Sequence, residues 1–446
     1  MSGASAGGTA RRTVFCLTMG CSKNSVDSEK ITGVLRRAGY DVVPEADGAD
    51  VCLINTCGFI RPAVEENIAG ILDMVELKSS GGTGRVVVVG CLVNRYGAST
   101  LGQEIPDVDA WAANDDYGAI LRAVTGDLAL WAPDCSERFR LPGTARHVRY
   151  LKISEGCDRR CTYCAIPSIR GALRSSPVDE IVSEAADLVT DGARELCLVA
   201  QDLTAYGRDL GIKDGLPKLI DALETSLPGS VWLRLLYLQP DGVSVKLLER
   251  VVSGRVLPYL DIPIQHASQK VLSLMGRPGS YEGLLCKFRL AREINPDFAL
   301  RTTCMVGFPG EGRDDFDLLL RFLGEARLDR VGAFAFSPEE GTPAASMPRQ
   351  VASSTKKSRL DRLMALQEGI SLSRQRLFLG RTLDVMIDAL SADGTAEGRS
   401  FREAAEADGL IEIRGARGDL APGDVIKAVI TGVTEHDMIA RAACNV

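Results

Sequence analysis

Val148-Arg149-Tyr150-Leu151-Lys152-Ile153-Ser154-Glu155-Gly156-Cys157-Asp158-Arg159-Arg160-Cys161-Thr162-Tyr163-Cys164 runs from a short strand pattern, 148–153, into three cysteines at CxxxCxxC spacing. Three thiolates from one loop can hold three irons of a 4Fe–4S cube and leave the fourth iron open to a small ligand. A structural zinc loop is the competing reading. Zinc wants four ligands, usually in two CxxC-like pairs, and no fourth partner lies near this stretch. Tyr163, inside the loop, either packs near a cluster and its nucleotide or fills the loop's own core.

Outward from this loop the chain alternates regularly. Strand patterns at 148–153, 195–201, 231–237, 259–264, 299–305 and 331–336 are separated by helical patterns at 177–191, 218–227, 243–252, 281–294 and 313–326. Six β/α units predict a curved parallel sheet or partial (β/α)6 barrel over 148–378, with active-site groups at the C-terminal strand ends. A long charged helix near 353–378 closes it. Upstream, residues 13–130 show the βαβ rhythm of a small parallel α/β domain, with strands at 13–17, 50–55 and 85–90 and helices at 25–38, 62–77 and 117–125. Residues 131–147, with Pro133, Pro142 and Gly143, read as a linker, and 1–12 as a flexible arm. Downstream, 380–446 alternates like short antiparallel strands (383–389, 410–413, 425–431), the pattern of a small Greek-key or OB-like β-barrel. The fold class is therefore α/β with a small antiparallel β-barrel at the C-terminal end.

The 13–130 region carries three more cysteines in matching settings: Gly20-Cys21-Ser22, Thr56-Cys57-Gly58 and Gly90-Cys91-Leu92. Each ends an apolar strand pattern and sits beside a glycine. In a parallel sheet the C-terminal strand ends gather at one edge, so the three thiols can converge there. Singly, each is as readily a buried structural cysteine; together they suggest a second cluster site. Cys16 and Cys52 fall within strand patterns and read as core. Cys135, Cys197, Cys286, Cys304 and Cys444 have no motif around them.

Thirteen cysteines in 446 residues with no secretory leader pattern predict a reduced, cytoplasmic protein whose clustered cysteines serve metal or catalysis. No apolar run is long enough to span a membrane. The net charge of −7 argues against a dedicated nucleic-acid binder. From Gly380 to Val446 twelve Asp/Glu face seven Lys/Arg, a net of −5, which suits a basic protein partner better than a phosphate backbone.

The cysteine loop closely resembles that of the radical S-adenosylmethionine (SAM) superfamily. Further stretches extend the resemblance: Gly20-Cys21-Ser22-Lys23-Asn24-Ser25-Val26-Asp27-Ser28-Glu29, Asn55-Thr56-Cys57-Gly58-Phe59-Ile60, Ile153-Ser154-Glu155-Gly156-Cys157, Ala165-Ile166-Pro167-Ser168-Ile169-Arg170-Gly171, Val199-Ala200-Gln201-Asp202, Asp261-Ile262-Pro263-Ile264-Gln265-His266-Ala267 and Val306-Gly307-Phe308-Pro309-Gly310-Glu311. With these the chain, from Thr13 to Ala442, resembles the methylthiotransferases, most closely the RimO branch that methylthiolates an aspartate of ribosomal protein S-twelve. The resemblance implies one 4Fe–4S cluster on Cys157, Cys161 and Cys164, a second on Cys21, Cys57 and Cys91, and a C-terminal TRAM domain for substrate recognition. It also implies two SAM molecules per turnover, one donating methyl and one giving the 5′-deoxyadenosyl radical. A low-potential electron donor such as flavodoxin or ferredoxin follows from that chemistry. The branch that methylthiolates a tRNA adenosine is the alternative, and a non-catalytic iron–sulfur electron carrier the alternative of another class.

SAM contacts are less sharply marked. Gly307 and Gly310 follow a strand pattern and either bring backbone near SAM or serve a tight turn. Gln201 and Arg234, on or just after strands, could hydrogen-bond the nucleotide or the methionine carboxylate, or be satisfied polar groups of a barrel mouth. His266 reads as a hydrogen-bonded structural residue, and no residue is singled out as a catalytic acid or base.

Overall fold

The computed structural model describes residues 12–114, 116–126, 140, 146–391, 394–416 and 419–443. The expected arm and linker, with Cys135 and Cys444, lie almost wholly outside them. The chain divides into two compact units, Met1–Thr144 with Ser168–Arg170, and Ala145–Pro167 with Gly171–Val446.

In the first unit, strands β1 (Thr13–Thr18), β2 (Asp41–Val43), β3 (Val51–Thr56), β4 (Arg85–Gly90) and β5 (Ala110–Ala112) form one sheet in the order β2-β1-β3-β4-β5. Every pairing is parallel. The sheet is covered on both faces, which is why β3 and β4 read as unbroken apolar runs. Leu53, Val87 and Val89 pack with Ile31, Leu35, Ile120 and Leu121 on one face. Cys52, Ile54, Val86 and Val88 pack with Ile71, Leu92 and Leu101 on the other. Cys52 is thus core, as its place in a strand pattern implied. This strand order reverses direction beside β1, and in such sheets ligands bind beyond the carboxyl ends of the strands at the switch point. Cys57 and Cys91 directly follow β3 and β4, and Cys21 lies three residues past the end of β1.

The second unit contains a two-residue ribbon, β7 (Ser154–Glu155) with β8 (Arg174–Ser175), and six barrel strands. These are β6 (Val148–Lys152), β9 (Glu195–Val199), β10 (Trp232–Leu235), β11 (Tyr259–Asp261), β12 (Ala299–Val306) and β13 (Arg330–Ala335). They form two parallel three-stranded sheets, β6-β9-β10 and β11-β12-β13. Backbone bonds from Leu257 to Leu233 and from Leu238 to Asp261, both 2.8 Å, stitch them into one curved row. Helices Val178–Thr190, Gly215–Ser226, Val245–Ser253, Tyr281–Ile294 and Arg313–Ala326 return the chain between strands, and Ser353–Gln375 closes the row. Their apolar stripes (Ile181, Leu219, Leu247, Phe288, Leu319) meet Leu198, Leu233, Leu260 and Leu300 in one core. Each such fully buried side chain contributes about 1.5–3 kcal/mol.

The C-terminal strands β14 (Thr382–Leu390), β15 (Ala396–Arg399), β16 (Ile411–Arg414), β17 (Val425–Val433) and β18 (Met438–Ala442) close into a barrel ordered β14-β15-β16-β18-β17. Four of the neighbouring pairs are antiparallel and β16–β18 is parallel. A closed ring with an odd number of strands cannot alternate all the way round, so one parallel pair is forced.

This small barrel seats on the N-terminal ends of the six strands. His147, just before β6, meets Asp388 at 2.8 Å, and Tyr150 donates to Glu406 at 3.0 Å. Glu195, the first residue of β9, binds Arg399 at 2.6 Å. Tyr259, opening β11, donates to Asp408 at 2.7 Å, and Arg330, opening β13, donates to the His436 carbonyl at 2.8 Å. The cysteine loop stands at the other end, after β6.

Candidate iron–sulfur sites

Local packing fixes the Cys157–Cys164 loop tightly. Gly156 has φ +75°, and a Cβ there would run into the Ala172 carbonyl oxygen, so only glycine fits. The Cys157 amide donates to the Gly171 carbonyl at 3.1 Å, and the Thr162 amide to Met275 at 3.0 Å. Arg159 clamps the outer turn, donating to Asp202 at 2.6 Å and to both oxygens of Asp241 at 3.1 and 2.9 Å. The three thiols are half-buried. Burial pushes Cys164 up to about 12, and its neighbours Cys161 and Cys157 add to the rise. Cys157 is raised for the same first reason. Thiols that repel one another's charge are what a bound iron–sulfur cation would relieve, releasing protons as it binds.

Of the two roles the sequence left open for Tyr163, the contacts display the filling of the loop's own core. Its ring meets Phe308 edge-on at 6.4 Å between centroids, filling the loop's core, and its hydroxyl accepts from Arg277 at 3.3 Å. Gln201, two residues past β9, donates to Glu155 at 2.6 Å, while its buried Oε1 has no protein partner. Gln265, beyond β11, shows the same orphaned Oε1 and sits at φ +68°. That strained backbone, invisible in sequence, makes Gln265 a candidate that the sequence reading passed over.

Gly307 and Gly310 have φ +74° and +84°. The Gly307 and Phe308 amides both donate to the Glu311 carboxylate, at 2.5 and 3.0 Å, and Arg359 donates to its other oxygen at 2.7 Å. The Gly307 amide is thereby taken, so the stretch is a built turn rather than a free backbone cradle. His266 accepts from the Ser268 amide at 2.9 Å and is fully buried. Burial drops its pKa to about 3, with Arg359 and Lys270 lowering it further against Asp315.

Arg234 requires correction. It lies on β10 as expected, yet its guanidinium reaches back toward the strand starts. Nε donates to Glu195 at 2.5 Å, and the two terminal nitrogens donate to the Phe401 and Ser400 carbonyls at 2.8 and 3.3 Å. Both side chains of the ion pair are 0% exposed. Arg234 thus joins the barrel floor to the C-terminal barrel, at the end away from the cysteine loop. The C-terminal acids are also less free for a basic partner than the net charge implied. Asp388, Glu403 and Asp408 are taken by His147, Arg399, Arg330 and Arg301 of the same unit.

In the first unit the three remaining cysteines converge. A Cβ on Gly20 would stand 2.7 Å from Cys57 Cβ, and one on Gly58 2.8 Å from the Cys91 carbonyl oxygen. The neighbouring glycines are therefore what lets the three strand ends close up. Cys21 caps the helix Ser22–Arg37, and Cys91 opens the helix Cys91–Tyr96. Helix N-termini offer amide donors to negative sulfur. Although burial works against it, Cys21 is lowered by Lys23, by the Asn24 and Lys23 amides and by Arg170. Burial instead pushes Cys91 up to about 11, against the pull of Arg170. Cys57 is raised by burial, and the charge of Cys21 adds to it. Among the described residues no three Cys, His, Asp or Glu close on the point one metal ion would occupy; a four-iron cube spreads its anchors wider than one ion does.

A loop of three thiols after the first strand of a parallel partial barrel defines a radical SAM domain, and the Radical SAM superfamily model matches residues 151–323. The Uncharacterized protein family UPF0004 model matches 13–113 and the TRAM domain model 379–443. The chain is 42% identical to a ribosomal protein uS12 methylthiotransferase RimO of an Anaeromyxobacter species, covering 98% of this chain and 94% of that one. It is 41% identical to a RimO of Thermus thermophilus, covering 95% and 98%. The chain belongs to the RimO family of radical SAM methylthiotransferases. Among solved structures, the radical SAM methyltransferase TsrM of Kitasatospora setae, with cobalamin and a [4Fe–4S] cluster bound, shares the fold at a TM-score of 0.55 and 14% identity, covering 93% of this chain and 84% of that one.

Proposed function

We propose that this chain inserts a methylthio group at the β-carbon of an aspartate of ribosomal protein uS12, using two 4Fe–4S clusters and two SAM molecules per turnover. The observation that carries the reading is the second cysteine set. Cys21, Cys57 and Cys91 meet at the carboxyl edge of their own sheet, while Cys157, Cys161 and Cys164 occupy the loop after β6. A single-cluster SAM enzyme needs only the latter. The full-length identity to RimO proteins supports uS12 as substrate.

A reduced cluster with SAM supplies the carbon-centred radical that abstracts hydrogen, and a second SAM the methyl group. The chain's own residues bind, orient and shield. Cys157, Cys161 and Cys164 would hold one cluster and leave an iron open, with Arg159 and Thr162 fixing the loop. Gln201 and Gln265 offer buried oxygens without partners, acceptors for the amino groups of SAM. Tyr163 and Phe308 wall the loop from water, which would quench a carbon radical. Cys21, Cys57 and Cys91 would hold the sulfur-handling cluster. The electron donor is of the flavodoxin or ferredoxin kind, and the setting is the cytoplasm. No described helix is long and apolar enough to cross a membrane.

Mass spectrometry of uS12 from cells with and without the gene tests this reading. One methylthio group on an aspartate, present only with the gene, is expected. Unmodified uS12 in both, with the gene-dependent group on a tRNA adenosine, would move the chain's activity to the alternative branch.

A further inference from the structure

We propose that Arg170 is a positioning residue of the N-terminal cluster, one that tunes its charge through the sulfur of Cys91; this rests on Cys91 being a cluster ligand. Arg170 lies six residues beyond Cys164 in sequence, yet Ser168–Arg170 packs as part of the first unit.

Its guanidinium donates to three groups of this site. Nε donates to Cys91 Sγ at 3.1 Å, one terminal nitrogen to Asp27 at 2.8 Å and the other to Asn24 Oδ1 at 2.6 Å. The Arg170 and Asp27 side chains are each 3% exposed. Asn24 in turn donates to the Met19 and Thr56 carbonyls at 2.8 and 3.0 Å. Those carbonyls belong to the strand ends that lead into Cys21 and Cys57. The Arg170–Asn24 pair therefore ties all three cysteine segments together, while Asn114 steadies Asp27 at 3.3 Å. The planar fork of arginine suits this three-way arrangement, and lysine cannot copy it.

The consequence is electrostatic. Hydrogen bonds to cluster sulfurs and nearby charge set iron–sulfur potentials. A buried cation donating to a ligand thiolate stabilises the reduced, more negative state and raises the potential. Asp27, the counter-charge, works in the opposite sense.

The test uses the full chain with Cys157, Cys161 and Cys164 replaced by alanine, so that only the N-terminal site takes up iron. The protein is reconstituted with iron and sulfide and titrated with dithionite under EPR. A parent that binds no iron defeats the cluster assignment itself. With iron bound, Arg170→Gln should shift the oxidised-to-reduced ratio about tenfold toward oxidised, about 59 mV downward for one electron. Arg170→Lys should fall between the parent and Arg170→Gln. Asp27→Asn should shift upward. A merely structural role predicts that all three variants lose iron together or leave the potential unmoved, and either result overturns the proposal. If Arg170→Gln cannot hold iron, the upward shift of Asp27→Asn carries the test, and its absence is decisive.

Discussion

Replacing Glu195 by glutamine should undo the barrel floor. Its two oxygens bind Arg234 at 2.5 Å and Arg399 at 2.6 Å, and all three side chains are buried. Breaking a buried ion pair by removing one partner costs about 3–5 kcal/mol, because the other charge is left uncompensated. Two considerations place this case at the lower end. Arg399 keeps both oxygens of Asp388, at 2.7 and 2.9 Å, and Arg234 keeps its two carbonyl partners. The expected loss is about 3 kcal/mol, a fall on the order of 6 °C in the melting transition of the second unit. Amide exchange should quicken first across β14–β18 and the first residues of β9 and β10, with the cysteine loop little affected. The acid side follows in sign. Burial opposes ionisation of Glu195, but Arg234 and Arg399 hold its carboxyl below the ordinary glutamate range. Its contribution is therefore complete above that range and is lost as pH falls through the lowered value. Glu195→Gln should lack that portion of the acid transition. A melting transition within about 1 °C of the parent, against the several degrees expected, or lost SAM binding with unchanged stability, would refute the floor assignment and return Arg234 to the SAM site.

Gly156→Ala must take a Cβ into the Ala172 carbonyl at φ +75°, so the reconstituted protein should carry less iron on the barrel loop, read as lost SAM cleavage with iron on the other site retained. Asp202→Asn removes the buried charge opposing Arg159 and should raise the apparent KM for SAM several-fold more than it lowers thermal stability; equal loss of both would point to folding alone. His266, held near 3 by burial, should stay neutral by NMR from about pH 8 to about pH 5, a range that spans the ordinary histidine value. Because its folded value lies below the unfolded one, its contribution is complete above about 6.5 and fades as pH falls toward 3. A His266 titration near the ordinary value of about 6.5 would show that the ring is not buried as described.

The large architecture was legible because its signals were periodic. Apolar strands alternating with amphipathic helices announced the parallel sheets of both units, and several boundaries, such as Arg85–Gly90 and Tyr117–Thr125, match to the residue. Short elements escaped. The edge strands Asp41–Val43 and Ala110–Ala112 are three residues each, too brief for periodicity to register. In the last barrel, Ala396–Arg399 carries Glu397, Gly398 and Arg399 on a strand that tertiary pairing alone specifies. The cysteines of the candidate sites were readable from spacing and from their glycine neighbours, because chemistry and close packing both demand those residue types. Arg234 was misread because a strand position fixes the Cα and not the direction of a long side chain. Arg170 and Gln265 stood in quoted stretches, but their roles depend on long-range contacts or on φ, neither of which sequence spacing encodes.

The division of labour between the two cysteine sets is tested most directly on a soluble, folded Cys21→Ala/Cys57→Ala/Cys91→Ala variant with its barrel cluster reconstituted and reduced. The three barrel cysteines hang on their own loop after β6, so SAM cleavage should continue and 5′-deoxyadenosine should accumulate. Methylthiolated uS12 should be absent, because the site that handles sulfur is gone. Near-normal methylthiolated product from this variant would contradict the account, leaving Cys21, Cys57 and Cys91 as merely structural thiols.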